Sequence, residues 1–281
     1  MKNYAKTAVL LAGIGGVLIL LGGLFGGRGG MLIGLALGLV IVGVSYWNSD
    51  KLAIRAARAA PVTEQEMPEY YAIVRELAQK ADMPMPRLYV SPEMQPNAFA
   101  TGRNPDHAAV AVTQGILKVL TWEELRGVLA HELGHVRNRD ILVSSVAAAV
   151  AMGITVLANM AQWAAIFGGG RGDDDEGANP LALFAMAIFA PLAAGVLQAA
   201  LSRTREFEAD ATGKALIGDG RPLASALQKI EQYAHQVPMH IDPAHAQAFI
   251  VNPLTGRRVQ FANLFRTHPP TEERVARLLE P

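Results

Sequence analysis

His131 and His135 lie four residues apart in the stretch Gly127 to Asp140, G-V-L-A-H-E-L-G-H-V-R-N-R-D, with Glu132 beside the first of them. In an α-helix residues four apart share a face, so both imidazoles can point at one cation while Glu132, about 100° further round, reaches the space beside it. Neutral imidazoles hold Zn²⁺ without cancelling its charge, and zinc with an open position lowers the pKa of water to about 7. A neighbouring carboxylate then removes a proton as that water attacks a carbonyl carbon, which is the chemistry of peptide hydrolysis. Two histidines that merely share a core helix would give no reason for a charged Glu132 between them.

A catalytic zinc of this kind takes three protein ligands. The best source of the third is Ser202-Arg203-Thr204-Arg205-Glu206-Phe207-Glu208-Ala209-Asp210, where Glu206 and Asp210 are four apart and share a helical face, while Glu208 points elsewhere. Glu206 is therefore the expected ligand. Asp210 is expected to orient a histidine ring from behind.

These side chains need elements to position them. Thr121 followed by Glu124 is a capping box that starts a helix, and Trp122, Leu125, Leu129, Leu133 and Val136 fall on one arc of it. That arc anchors in a core and leaves the histidine face open to metal. Upstream, Ala60-Pro61 to Pro86 reads as an amphipathic helix carrying Tyr70, Ile73, Val74 and Leu77, closed by Pro84 and Pro86. The period then changes to that of short strands at Arg87 to Val90, Ala98 to Thr101 and Ala108 to Val112, with a turn at Gly102 to Asp106. The segment Asn97, Ala98, Phe99, Ala100 and Thr101 is a candidate edge on which an extended substrate adds as a strand. A sheet that only supports the helix fits the same residues. Ser91 to Pro96 reads as a flexible connection open to nicking.

Of the 281 residues 51% are hydrophobic and 18% charged, the formal net charge is zero, and there is no cysteine. Disulfides are excluded, metal must be held by His and carboxylate, and no basic run points to nucleic acid. The apolar residues are bunched. Thr7 to Gly27, Met31 to Trp47, Ile141 to Gly170 and Leu181 to Ser202 carry no charge. Crossing a bilayer core of about 30 Å takes about 17 to 25 residues, so these runs predict four transmembrane helices in two hairpins. For the second pair, a buried soluble hairpin is the alternative. Lys2, Lys6, Lys51, Arg55 and Arg58 flank the first pair, and Arg137, Arg139, Arg203 and Arg205 the second, which places both termini in the cytoplasm. Tyr46 and Trp47 suit the interface, and the acidic loop Asp173 to Glu176 falls outside.

The expected organisation is a transmembrane hairpin over 1–50, a first part of the catalytic domain with the zinc helix over 51–140, a second hairpin over 141–202, and a second part with the third ligand over 203–281. The zinc helix, the Glu206 to Asp210 pair, Asn97 to Gly102 and Thr267-His268-Pro269-Pro270-Thr271-Glu272-Glu273-Arg274 together resemble the HtpX-type membrane zinc metalloproteases along essentially the whole chain. The resemblance implies a mainly α fold, with a cytosolic zincin-like domain carrying a small β-sheet, holding one zinc ion. It further implies a bacterial inner membrane and the degradation of damaged or misfolded membrane proteins. The chemistry of a different class, a scaffold or holdase that keeps zinc only for folding, would leave Glu132 without a task.

Three further sets of residues can be weighed. His268, fixed by Pro269 and Pro270 ahead of a helix capped by Thr271 and bearing Val275, Leu278 and Leu279, suits an oxyanion donor, a gate on the metal, or a hydrogen bond holding that helix. Arg274 suits a tie to a carboxylate. Asp219, between Gly218 and Gly220, reads as a helix end and not as a ligand, and His235, His240 and His245 fit no helical face.

Overall fold

The computed structural model describes residues 46–141, 203–236 and 269–280 and isolated positions from 28 to 44. The first, third (beyond Ile141) and fourth apolar runs, the acidic loop, His240, His245 and His268 lie outside the described residues. Among the described residues no helix is long and apolar enough to cross a membrane. The described positions between 28 and 47 are helical, and they expose Leu32, Ile33, Leu39, Val40, Val44 and Trp47.

Helix α1 (Ser49–Ala56) leads into strand β1 (Ala60–Pro61), helix α2 (Pro68–Lys80) and strand β2 (Arg87–Ser91). Strands β3 (Ala98–Thr101) and β4 (Ala109–Thr113) follow, then helices α3 (Gln114–Val119) and α4 (Trp122–Arg137). After the undescribed segment come α5 (Arg203–Ile217), α6 (Arg221–Gln236) and α7 (Thr271–Leu279). The fold is mainly helical around a mixed four-stranded sheet of order β1-β2-β4-β3, with β2 parallel to β4 and the outer pairs antiparallel.

Every residue of β4 is buried, and the strand's two-residue period divides them. Val110 and Val112 enter the main core with Tyr70, Val74 and Leu77 of α2 and Leu125, Leu129 and Leu133 of α4. Ala109 and Ala111 pack on the other face with Ile54 of α1, Tyr89 and Phe99. Each fully buried leucine contributes about 1.5–3 kcal/mol.

Several local expectations are corrected. The helix expected from Ala60 starts at Pro68, because Pro68 supplies a preset φ and needs no N–H acceptor at N1, while Ala60 and Pro61 pair with Val90 and Tyr89. Trp122 is 41% exposed, since it stands in the first turn before α4 enters the core. The far side of α4 is not open either: α5 and α6 close over it, and Gly127 to Gly134 are all buried. Thr271 is the first residue of α7 and caps nothing; Pro270 holds the cap position, and Leu279 is 54% exposed. Ser91 to Pro96 is tied down, with Ser91 Oγ donating to Ala57 O at 2.6 Å and Thr113 Oγ1 to Gln95 O at 2.7 Å.

The capping box forms as expected. Glu124 N donates to Thr121 Oγ1 at 3.3 Å and Thr121 N to Glu124 Oε2 at 2.9 Å. Glu124 also accepts from Ser225 Oγ at 2.7 Å and Lys229 Nζ at 2.8 Å, so the start of α4 is fastened to α6. Burial pushes this carboxyl up, but Lys229, Ser225 and Thr121 outweigh it and hold it at about 2.

Candidate metal centre

Helices α4 and α5 touch backbone to backbone. A Cβ on Gly213 would lie 2.9 Å from His131 N, and one on Gly134 would lie 2.9 Å from Ala209 O. With nothing but hydrogen at both crossings, α5 comes close enough for a side chain as short as Glu206 to span the gap.

His131, His135 and Glu206 each offer a ligand atom, and those atoms lie within 4.8 Å of one another. His131 Nε2 is 3.8 Å from Glu206 Oε2, and His135 Nε2 is 3.5 Å from Glu206 Oε1. Donors about 2.0–2.2 Å from a common tetrahedral centre would be roughly 3.4 Å apart, so the three side chains suit one small cation with little movement.

Each imidazole is held from behind. His131 Nδ1 is 2.8 Å from Asp210 Oδ1, and His135 Nδ1 is 3.3 Å from Asp140 Oδ2. A carboxylate behind Nδ1 keeps the proton on that nitrogen and turns the Nε2 lone pair to the front. Burial pushes the Asp210 carboxyl up, but Arg274 and His131 outweigh it and hold it well below the usual carboxylate range. Burial likewise depresses the His135 imidazole, yet Glu206, Asp140 and Glu132 prevail and push it up to about 9. A ring in such a field is strongly basic toward a proton or a metal ion.

Glu132, Asp140, Glu206 and Asp210 are all at most 6% exposed, and the buried guanidiniums among them are those of Arg205 and Arg274. With both imidazoles neutral, as metal ligands must be, the four ionised carboxylates exceed the two guanidiniums among the described residues by two negative charges, an imbalance that a bound divalent ion removes. Arg274 binds Asp210 through both oxygens, Nε to Oδ2 at 2.9 Å and Nη2 to Oδ1 at 2.7 Å.

Glu132 is 6% exposed, and its Oε2 accepts a hydrogen bond from the Ala100 backbone N–H at 2.9 Å. That bond follows from the register. Asn97 O accepts from Thr113 N, so in the antiparallel pair Asn97, Phe99 and Thr101 face β4 while Ala98 and Ala100 turn their backbone groups outward, away from β4. Among the described residues β3 is an edge strand of the sheet, and that edge borders Glu132.

The structure brings His131, His135, Glu206, Asp210 and Glu132 together with Ala100 of the expected edge strand. Glu208 is exposed. Asp219 pairs with Arg221 at 2.8 Å and belongs to the turn after α5, where Gly218 has φ +77°. Asp140 and Arg205 are additions that sequence reasoning missed. The sign of Asp140 was its place just past the helix of the two histidines: Arg139 takes φ +60° and folds the chain back, so Asp140 N donates to His135 O at 2.9 Å.

Buried helices carrying a His, His, Glu cluster, with a further glutamate bonded to a sheet edge, define the metallopeptidase class. Residues 64–281 match the model of Peptidase family M48. The chain is 53% identical over 281 residues to the protein named Protease HtpX homolog of Syntrophobacter fumaroxidans, covering 99% of both. It is 50% identical over 279 residues to the Protease HtpX homolog of Desulforapulum autotrophicum, covering 99% of this chain and 90% of that one. Among solved structures, S. mikatae Ste24p superposes with a TM-score of 0.53 at 18% identity, over 99% of this chain and 66% of the other, which is a likeness of fold. The chain belongs to peptidase family M48 and is a metallopeptidase, a hydrolase of peptide bonds.

Proposed function

We propose that this chain is a membrane-embedded zinc endopeptidase that cuts damaged or misfolded membrane proteins at the cytosolic face of a bacterial inner membrane. The observation that carries the catalytic part is the convergence of His131 Nε2, His135 Nε2 and Glu206 beside Glu132. Two imidazoles and one carboxylate, with no cysteine in the chain, are a donor set suited to catalytic zinc. Zinc held there supplies Lewis acidity, polarising a carbonyl and acidifying water.

The remaining work belongs to the chain. Glu132 accepts the proton of the attacking water and delivers it to the leaving amide nitrogen. Ala100 N–H orients that carboxylate, and Asp210 and Asp140 hold the two rings in the tautomer that faces forward. The outward N–H and C=O of Ala98 and the C=O of Ala100 are suited to pair with an extended substrate, which presents its peptide bonds to Glu132 without reading many side chains.

The membrane part of the reading rests on the four uncharged runs and on the exposed apolar side chains from Leu32 to Trp47. The ends of the undescribed segment also support a hairpin. The chain leaves α4 at its last turn and returns at the first turn of α5, and these two turns meet, with His135 Nε2 3.5 Å from Glu206 Oε1. The domain then consists of 51–140 and 203–281, and 1–50 and 141–202 cross the bilayer. Purified chain with zinc is expected to cleave casein and a misfolded membrane protein. Equal cleavage by a metal-loaded Glu132→Gln variant would overturn the mechanism. A reporter fused at Asp174 is expected outside; a cytoplasmic signal there would overturn the second hairpin.

A further inference from the structure

We propose that the edge strand is a ruler against the bilayer, so that membrane-bound substrates are cut within about three to five residues of the end of a transmembrane span. The proposal rests on the membrane reading above. Its basis is that the end of the strand nearest the bilayer is fastened to the residue that marks the bilayer surface. The described positions from 28 to 47 expose apolar side chains up to Trp47, whose ring meets Tyr46 edge-on at 5.3 Å; aromatics of this kind settle at the headgroup level. Asn48 N donates to Val44 O and Leu52 N to Asn48 O, so the turns of helix run on into α1, whose exposed Lys51 and Arg55 face water just below that level.

Strand β3 ends there. The Arg103 guanidinium stands 5.1 Å from the centre of the Trp47 ring and Nη1 donates to Trp47 O at 3.5 Å, while Thr101 Oγ1 donates to Ser49 O at 3.4 Å. Ile54 of α1 packs in one cluster with Phe99 of β3. The strand cannot tilt away from the interface without breaking these contacts. Three residues back from Arg103 is Ala100, bonded to Glu132. Extended chain rises about 3.3 Å per residue, so the cutting point lies about 10–15 Å from the headgroup level. A substrate lying along β3 therefore reaches Glu132 only a few residues after it leaves the lipid. A tail is selected by its distance from the span, and its sequence matters little.

The test uses the full-length protein in vesicles of phosphatidylethanolamine and phosphatidylglycerol, with single-span substrates whose cytosolic tails carry one easily cleaved cassette. The cassette sits at about 4, 8 or 16 residues from the span, roughly 13, 26 or 53 Å when extended. Mass spectrometry of the fragments is expected to place the cuts close to the span in all three substrates. In the Arg103→Ala variant the cuts should spread along the tail while casein is cleaved as before. Cuts that follow the cassette out to its farthest position, or an Arg103→Ala pattern identical to the wild type, would overturn the ruler. Failure to cut casein as well as every membrane substrate would overturn the proposed function instead.

Discussion

Asp210 sits between His131 and Arg274, its Oδ1 2.8 Å from the ring Nδ1 and 2.7 Å from the guanidinium. The last helix of the chain thereby supports the first histidine of the metal centre from behind. Asp210→Asn is expected to keep the fold and weaken zinc binding about 10- to 100-fold, the usual cost of losing an outer carboxylate on a metal-bound histidine. A zinc titration by competition with a chromogenic chelator would read it, and an unchanged affinity would contradict the role given to Asp210.

Arg274 is 1% exposed and compensates a buried carboxylate. Arg274→Ala removes one member of a buried ion pair and should cost about 3–5 kcal/mol of stability, whereas Arg274→Met, with a similar stem and no charge, should cost no less because the Asp210 charge stays unpaired. Asp210→Asn combined with Arg274→Met should recover part of that loss. Thermal melts of the wild type, Asp210→Asn, Arg274→Met and the double variant in detergent would show it, and strictly additive losses would refute the coupling.

Three glutamates, Glu206 and Glu132 in the candidate metal centre and Glu208 outside it, separate by variant. Glu206→Ala should lose zinc and activity together. Glu132→Gln should keep zinc and lose activity by roughly 10²- to 10⁴-fold, the range for removing a general base. Glu208→Ala, on an exposed side chain, should change neither. Metal content by mass spectrometry and casein cleavage suffice to check this. A Glu208→Ala protein without zinc, beside a Glu206→Ala protein that retains it, would reverse the assignment.

Gly213 predicts a coupling between packing and metal binding. A methyl group there would press on His131 N at 2.9 Å, with backbone on both sides and no flexible side chain to yield. Gly213→Ala should cost about 1–3 kcal/mol as an overpacked contact and should also weaken zinc binding, because α5 carries Glu206 away as it moves. Gly218→Ala probes the opposite case, with open space but φ +77°, and should cost stability without affecting the metal.

Glu124 gives a pH dependence remote from the metal. Its carboxyl is held at about 2 in the folded protein against about 4.3 in an unfolded chain, so it stabilises the fold above about pH 5, and that contribution fades as the pH falls toward 2. Lys229 is 43% exposed on its side chain, so the effect is partly screened and amounts to about 1–3 kcal/mol. Glu124→Gln should lower the melting temperature at pH 7 and approach the wild type at pH 3. A constant difference across that range would count against the Ser225 and Lys229 contacts.

Much of the centre was legible in residue spacing. The interval of four between His131 and His135, and again between Glu206 and Asp210, implies shared helical faces, and Thr121 with Glu124 marks where the first helix begins. The strand Ala98 to Thr101 was legible too, from the turn at Gly102 to Asp106 that closes it, which is a local signal. These features depend on backbone periods that hold whatever the rest of the chain does. What spacing could not supply was any pairing between distant segments. That Asp210 faces His131 while Asp140 faces His135, that Arg274 reaches Asp210 across 64 positions, and that the sheet order leaves β3 at the edge beside Glu132 are outcomes of packing. They depend on Gly134 and Gly213 letting two helix backbones touch, and on α6 closing the side of α4 that its own pattern had left open. The sequence by itself determined which groups could bind a metal and move a proton; only the tertiary structure decided which of them meet, because burial excludes water there and any charge left without a partner is too costly to keep.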